Sequence, residues 1–174
     1  MQRASGILVI LLFPLLSFCQ EWKVFTDSAG KFTAKYPANW TNKVKEGNRV
    51  FFTSPADSVG DYFYENININ VTQKAGYGTE IKVRDLFPTV TNSIKKEFTD
   101  FKEESLKFFK WNNIDAAEII YSGHNKLDES LTIRTVQWYC FYRSRLYMLT
   151  YVADARNKTH TETAKKIMTS ILFR

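Results

Sequence analysis

The segment Glu65 to Gln73 reads Glu-Asn-Ile-Asn-Ile-Asn-Val-Thr-Gln. Alternation of polar and apolar residues at this strictness is the period of a pleated strand, not of a helix. Ile67, Ile69 and Val71 point one way; Asn66, Asn68, Asn70 and Thr72 point the other. Such a strand has one face to bury and one polar face, so the chain must supply cover for a sheet.

More strands are expected on both sides of it. Trp22 to Thr26 and Lys31 to Tyr36 flank a turn at Asp27-Ser28-Ala29-Gly30, where Asp and Gly supply turn geometry cheaply. Arg49 to Thr53 reads as a third strand. Ser105 to Trp111, Asp115 to Ser122, Leu131 to Tyr142 and Leu146 to Ala153 follow, joined at Asn112-Asn113, Gly123 to Asp128 and Arg143-Ser144. The last joint is a two-residue hairpin without the usual Asn-Gly chemistry.

The cover is predicted from two helical patterns. Asp85 suits an N-cap, Pro88 suits a first turn, and Leu86, Val90, Ile94 and Phe98 recur near the helical period. Near the end, Thr159 and Glu162 have the spacing of a capping box. Ala164, Ile167, Met168, Ile171 and Leu172 then form an apolar stripe. Strands joined by short turns, interrupted and closed by a helix, predict an α+β sandwich around a mainly antiparallel sheet.

Residues 1–19 read as a secretory signal, and residues 20–174 as a single domain. Arg3 begins the segment, an apolar run spans Ile7 to Leu16, and Ser17 and Cys19 fit a cleavage site before Gln20. The run is too short to span a bilayer, which takes roughly 20 apolar residues. The competing reading puts a lipid anchor on Cys19; the bulky Phe18 before it counts against that. The chain is thus expected to be exported, to the periplasm or beyond. Of the two cysteines, only Cys140 would then remain, as a buried apolar side chain. The 24 Lys and Arg residues less Arg3 leave 23 against 18 acids, or +5. These charges are scattered rather than clustered as in nucleic-acid arms, so no nucleic acid is expected.

Gly30-Lys31-Phe32 followed by Tyr36-Pro37-Ala38-Asn39-Trp40 resembles the opening of PsbP-like domains. The strand Asn66 to Val71, the late segment Arg145 to Asp154 and the closing helix up to Phe173 are similar to later parts of the same family. The resemblance spans nearly the whole mature chain. It implies an α-β-α sandwich with a central antiparallel sheet and a non-catalytic role in binding, docking or assembly. It carries over no residue-level site.

The residues themselves offer little catalytic chemistry. The two histidines, His124 and His160, read as surface residues, since neither has an evident partner in sequence. No metalloprotease, nucleophile-elbow or phosphate-loop motif occurs. No enzyme activity, cofactor or metal site is therefore expected. Asp57, Asp61 and Glu65 lie near one another, but they do not match a calcium loop and read as solvated charges, as do Asp128 and Glu129. The expected role is to bind a protein or envelope partner. Candidate contacts are the aromatic run Tyr62, Phe63 and Tyr64 in a loop, and Arg143 and Arg145 at the hairpin. The alternative is a carrier of a small apolar ligand within a curved sheet.

Overall fold

The computed structural model describes residues 20–47, 49–61, 63–126 and 128–174, and at 128 and 129 the backbone alone. The expected signal, residues 1–19, and Tyr62 lie outside the described residues. The strands are β1 (Trp22–Asp27), β2 (Phe32–Pro37), β3 (Thr41–Lys45), β4 (Arg49–Thr53), β5 (Asn66–Gln73), β6 (Phe98–Trp111), β7 (Ile114–Asn125), β8 (Asp128–Tyr142), β9 (Arg145–Asp154) and β10 (Leu172–Phe173). The helices are α1 (Phe87–Glu97), entered through a short 3-10 turn at Val83–Leu86, and α2 (Thr161–Thr169).

Among the described residues, seven strands form the main sheet in the order β3-β4-β5-β9-β8-β7-β6. Every pairing within it is antiparallel. A small second sheet holds β1-β2-β10. The alternation in β5 does what its pattern predicts: Ile67, Ile69 and Val71 are buried, and the Asn side is only partly covered.

The two faces of the main sheet carry separate apolar clusters. On one, Val83, Phe87 and Ile94 from the 3-10 turn and α1 meet Ala117, Ile119, Tyr121, Tyr139 and Phe141. On the other, Ala164, Ile167, Met168 and Ile171 from α2 and its exit join Phe32, Trp40, Ile67, Cys140 and Leu149. Tyr139 and Cys140 are neighbours in sequence yet belong to opposite clusters, as the period of a strand covered on both faces requires. The layers are helix, sheet, and helix with a small sheet: the expected α+β sandwich.

Several local expectations are corrected. Thr41–Lys45 is a strand that the sequence did not signal. All five residues are exposed, so it has no apolar period, and pairing with β4 alone holds it extended. β6 begins at Phe98, directly out of α1, rather than at Ser105. Two register shifts and a left-handed Asp100 break its alternation, which hid the first half. Gly123 is inside β7, not in a turn. Its φ is 155°, and a Cβ there would lie 2.9 Å from the Thr99 carbonyl oxygen, so glycine permits a close backbone approach. The turn is displaced past Asn125, with Lys126 in it, and Asp128 and Glu129 open β8.

The helix ends differ too. Asp85 does not cap α1; its carboxylate accepts the Lys82 N–H at 2.8 Å and caps the 3-10 turn. The Thr159–Glu162 capping box does not form. His160 is the N-cap of α2, and the Thr159 N–H donates to Asn157 Oδ1 at 2.9 Å. Leu172 leaves the predicted stripe because the helix stops at Thr169, and it is exposed on β10.

Candidate functional site

The side chains singled out in the sequence fall at opposite ends of the main sheet. In the β5–β9 pairing, Asn66 faces Val152 at one end and Gln73 faces Arg145 at the other. Seven steps of strand rise separate these ends by roughly 23 Å. Phe63 and Tyr64 therefore lie at one end and Arg143 and Arg145 at the other, and they do not form one surface.

At the hairpin end, β8 and β9 turn through Arg143-Ser144. Both residues have positive φ, 48° and 58°. This is the backbone of the tight hairpin that the two-residue spacing predicted. The turn is built from residues that do not favour it. The neighbouring β6–β7 hairpin uses Asn112-Asn113, at φ 49° and 65°, which is ordinary turn chemistry. The β8–β9 tip instead exposes a guanidinium, stacked 5.2 Å from the Tyr142 ring centre. Tyr142 in turn stacks on Phe173 of β10.

This tip borders a concavity of about 360 Å³ lined by Asp27, Ser28, Lys31, Arg143, Arg145 and Arg174. Four of these six residues are cations. Among the described residues, none of the four forms an ion pair. The one acid, Asp27, is occupied: its Oδ1 accepts the N–H groups of Ala29 and Gly30 at 3.0 and 2.9 Å. The turn is fixed to the sheet by Tyr147, whose hydroxyl donates to the Gly30 carbonyl at 2.9 Å. Burial pushes that phenol up to about 12, so it stays a donor at any physiological pH. Lys31 and Arg174, brought here by the β1–β2 turn and by β10, were not singled out in the sequence; neither stands near Arg143 along the chain.

A wider cleft of about 590 Å³ lies where β6, β7 and β8 approach the 3-10 turn. It is lined by Lys82, Arg84, Lys110 and Asp115 over Phe108, Phe109 and Phe141. Arg84 sits 4.4 Å from the Phe108 ring centre, and Lys110 pairs with Asp115 at 2.8 Å. That pairing holds the Asp115 carboxyl below its usual range. Both clefts are open to solvent and edged with charge, unlike the enclosed apolar cavity that a small-ligand carrier needs.

At the other end, the structure assembles a cluster that the sequence reading divided. Asp57, Glu65 and His160 bring one ligating atom each within 4.8 Å of one another. Glu65 is 1% exposed rather than solvated, and His160 is enclosed against Trp40 rather than on the surface. Asp61 stays out; its carboxylate closes the loop by accepting the N–H groups of Asp57 and Phe63. Glu65 accepts from Ser54 Oγ at 3.2 Å and from Asn157 Nδ2 at 3.0 Å, and Asn157 also donates to Asp57. Burial raises the Glu65 carboxyl above the usual carboxylate range, and the Asp57 charge adds to that. Three positions spread over a hundred residues give no local spacing to read. Glu65, next to the polar-apolar alternation of β5, was the available clue.

The aromatic loop is partly seated. Phe63 is half-buried, and Tyr64 is 47% exposed. His124 is in strand β7, not a turn. It is held by Thr132 Oγ1 at 3.0 Å and lies 3.8 Å from Asp100. Cys140 is buried as expected, and burial pushes its thiol far above the usual range. No helix of the described residues is long and apolar enough to cross a membrane.

With this geometry in view, comparisons with known proteins are informative at the level of the fold. No protein-family model matches the chain, and no curated protein matches it by sequence. Solved structures do match. Cyanobacterial PsbP from Synechocystis superposes with a TM-score of 0.60 at 11% identity, covering 100% of this chain and 99% of its own. The chain has the PsbP-like fold. The Ran-binding protein Mog1p of Saccharomyces cerevisiae shares that fold, at TM-score 0.60 and 7% identity, covering 88% of this chain and 96% of its own. A Bacteroides thetaiotaomicron structure matches at TM-score 0.59 and 15% identity over 87% of this chain. This chain spans about half of that protein, 48% of its length. The PsbP-like resemblance read from the sequence is thus matched in three dimensions.

Proposed function

We propose that this chain is an exported, non-catalytic binding domain whose basic end docks an acidic segment of a protein partner. The observation that carries the reading is the concavity at the β8–β9 hairpin: four cations face it without an ion-pair partner among the described residues. Unpaired cations around a low-dielectric wall focus positive potential and attract anionic partners. The neighbouring cleft adds Arg84 at the same end of the sheet. The Ran-binding role of Mog1p supports protein binding as a use to which this fold is put.

The test uses a fluorescent Glu/Asp-rich peptide as the probe. Anisotropy should show binding at low salt that weakens steeply toward 300 mM NaCl. Combining Arg143→Glu with Arg145→Glu should weaken it at least tenfold. Equal binding by that double variant refutes the assignment. Binding to phosphatidylglycerol vesicles, with none to the peptide, replaces a protein partner with the envelope surface.

A further inference from the structure

We infer that Asp57, Glu65 and His160 form a binding site for a divalent transition-metal ion of the zinc type. The cluster is at the opposite end of the sheet from the basic concavity, so the inference is independent of the partner-binding reading. Its donors come from three separate places: the loop after β4, the entry to β5, and the N-cap of α2.

The cluster converges two carboxylates and an imidazole on one point. Glu65 is 1% exposed at the base of the cluster, and Asp57 stands at its exposed mouth with 22% of its side chain open. Among the described residues, no Lys or Arg forms an ion pair with either acid.

The imidazole gives a second, independent observation. His160 Nε2 is 2.9 Å from Asp57 Oδ1, close enough for an ion pair. The enclosed Nε2 has no hydrogen-bond partner among the described residues. The side chain is only 12% exposed, so water is not an easy substitute. A buried ring nitrogen without a bond costs of order 1–3 kcal/mol. Coordination of an ion through its lone pair removes that cost.

The donor set indicates the class of ion. One imidazole nitrogen and two carboxylate oxygens suit zinc and its first-row neighbours, whereas calcium needs 6–8 oxygens. Zinc holds such ligands at about 2.0–2.2 Å, so donors within 4.8 Å need only close inward by about an ångström. Outer support is in place: Asn157 donates to both carboxylates, Ser54 donates to Glu65, and the Trp40 ring packs edge-on against the imidazole at 5.5 Å between centres. Such partners orient ligands and sustain affinity. Three protein ligands leave a coordination position for water. The ion would also tie the loop bearing Phe63 and Tyr64 to α2, bracing that aromatic surface.

Isothermal titration of the purified protein with ZnCl₂, after treatment with a chelator, should give one ion bound per chain and raise the melting temperature by several degrees. Co²⁺ should give a visible d–d absorption band. Asp57→Asn, at a partly exposed position, should retain the fold and lose at least tenfold in Zn²⁺ affinity; His160→Ala should abolish the Co²⁺ band. Absence of Zn²⁺ binding by the folded protein overturns the inference. So does Zn²⁺ binding that both variants retain, or Ca²⁺ stabilisation equal to that by Zn²⁺.

Discussion

The Arg143-Ser144 tip sets a turn preference against a binding requirement, and a double replacement separates the two. Changing Arg143→Asn and Ser144→Gly installs the favoured chemistry for a two-residue hairpin. Both residues are now left-handed, at φ 48° and 58°. That region costs a non-glycine residue about 1–2 kcal/mol, so the pair stores about 2–4 kcal/mol. Asn recovers part of its share. Gly recovers nearly all of its own but loses roughly 0.5–1 kcal/mol through the greater freedom of the unfolded chain. Removing the guanidinium from the Tyr142 ring takes away about 0.5 kcal/mol more. The net expectation is a gain of about 1 kcal/mol, or about 2–4 °C in melting temperature for a domain of this size. Thermal unfolding followed by near-ultraviolet circular dichroism measures the first half. Peptide anisotropy measures the second, where the same variant should bind the acidic probe more weakly. A variant that is more stable and binds as well as the parent would show that Arg143 is not placed for binding. A variant that melts at or below the parent temperature would show that the tip stores no strain.

Three further outcomes follow from the packing. Tyr147→Phe should leave the buried Gly30 carbonyl without its donor and cost about 1–3 kcal/mol, seen as a lower melting temperature; an unchanged value would mean that the turn does not depend on this bond. Asp154 is held below its usual range chiefly by the Arg156 hydrogen bond. Its contribution should be present at neutral pH and disappear as pH falls through the lowered folded value, so Asp154→Asn should be less stable than the parent at pH 7, by a margin that shrinks as the pH is lowered. Cys140 should resist a thiol-reactive dye in the native protein and react at once in 6 M guanidinium, because the dye must wait for the core to open; fast native labelling would place the thiol at the surface.

The elements legible in the sequence are those whose own residues carry a period. β5 alternates because one face is covered, and α2 repeats Ala164, Ile167 and Met168 because one face meets the sheet. β3 carries no such record. Thr-Asn-Lys-Val-Lys is extended only because β4 lies beside it, and that information belongs to the neighbour. The first half of β6 was hidden for the opposite reason: Phe98 continues the α1 stripe while beginning a strand. The site residues divide in the same way. Arg143 and Arg145 stand at a turn legible only from the two-residue gap between two strand patterns. Lys31 and Arg174 join them only through the β2–β10 pairing. His160 looked like a cap-side surface residue because its partner, Asp57, is a hundred positions away.

The free borders of the main sheet have a consequence for how copies of this chain meet. β3 and β6 are its outermost strands, each paired on one side only. An open border of this kind is a template on which a second molecule can polymerise. β3 carries Lys43 and Lys45 and no acid, so two β3 borders meeting would press ammonium against ammonium. β6 is interrupted by bulges and carries the exposed charges Lys102 and Glu103. Both borders are therefore poor templates for fibre growth. A partner is accordingly left the tips of the strands to grip.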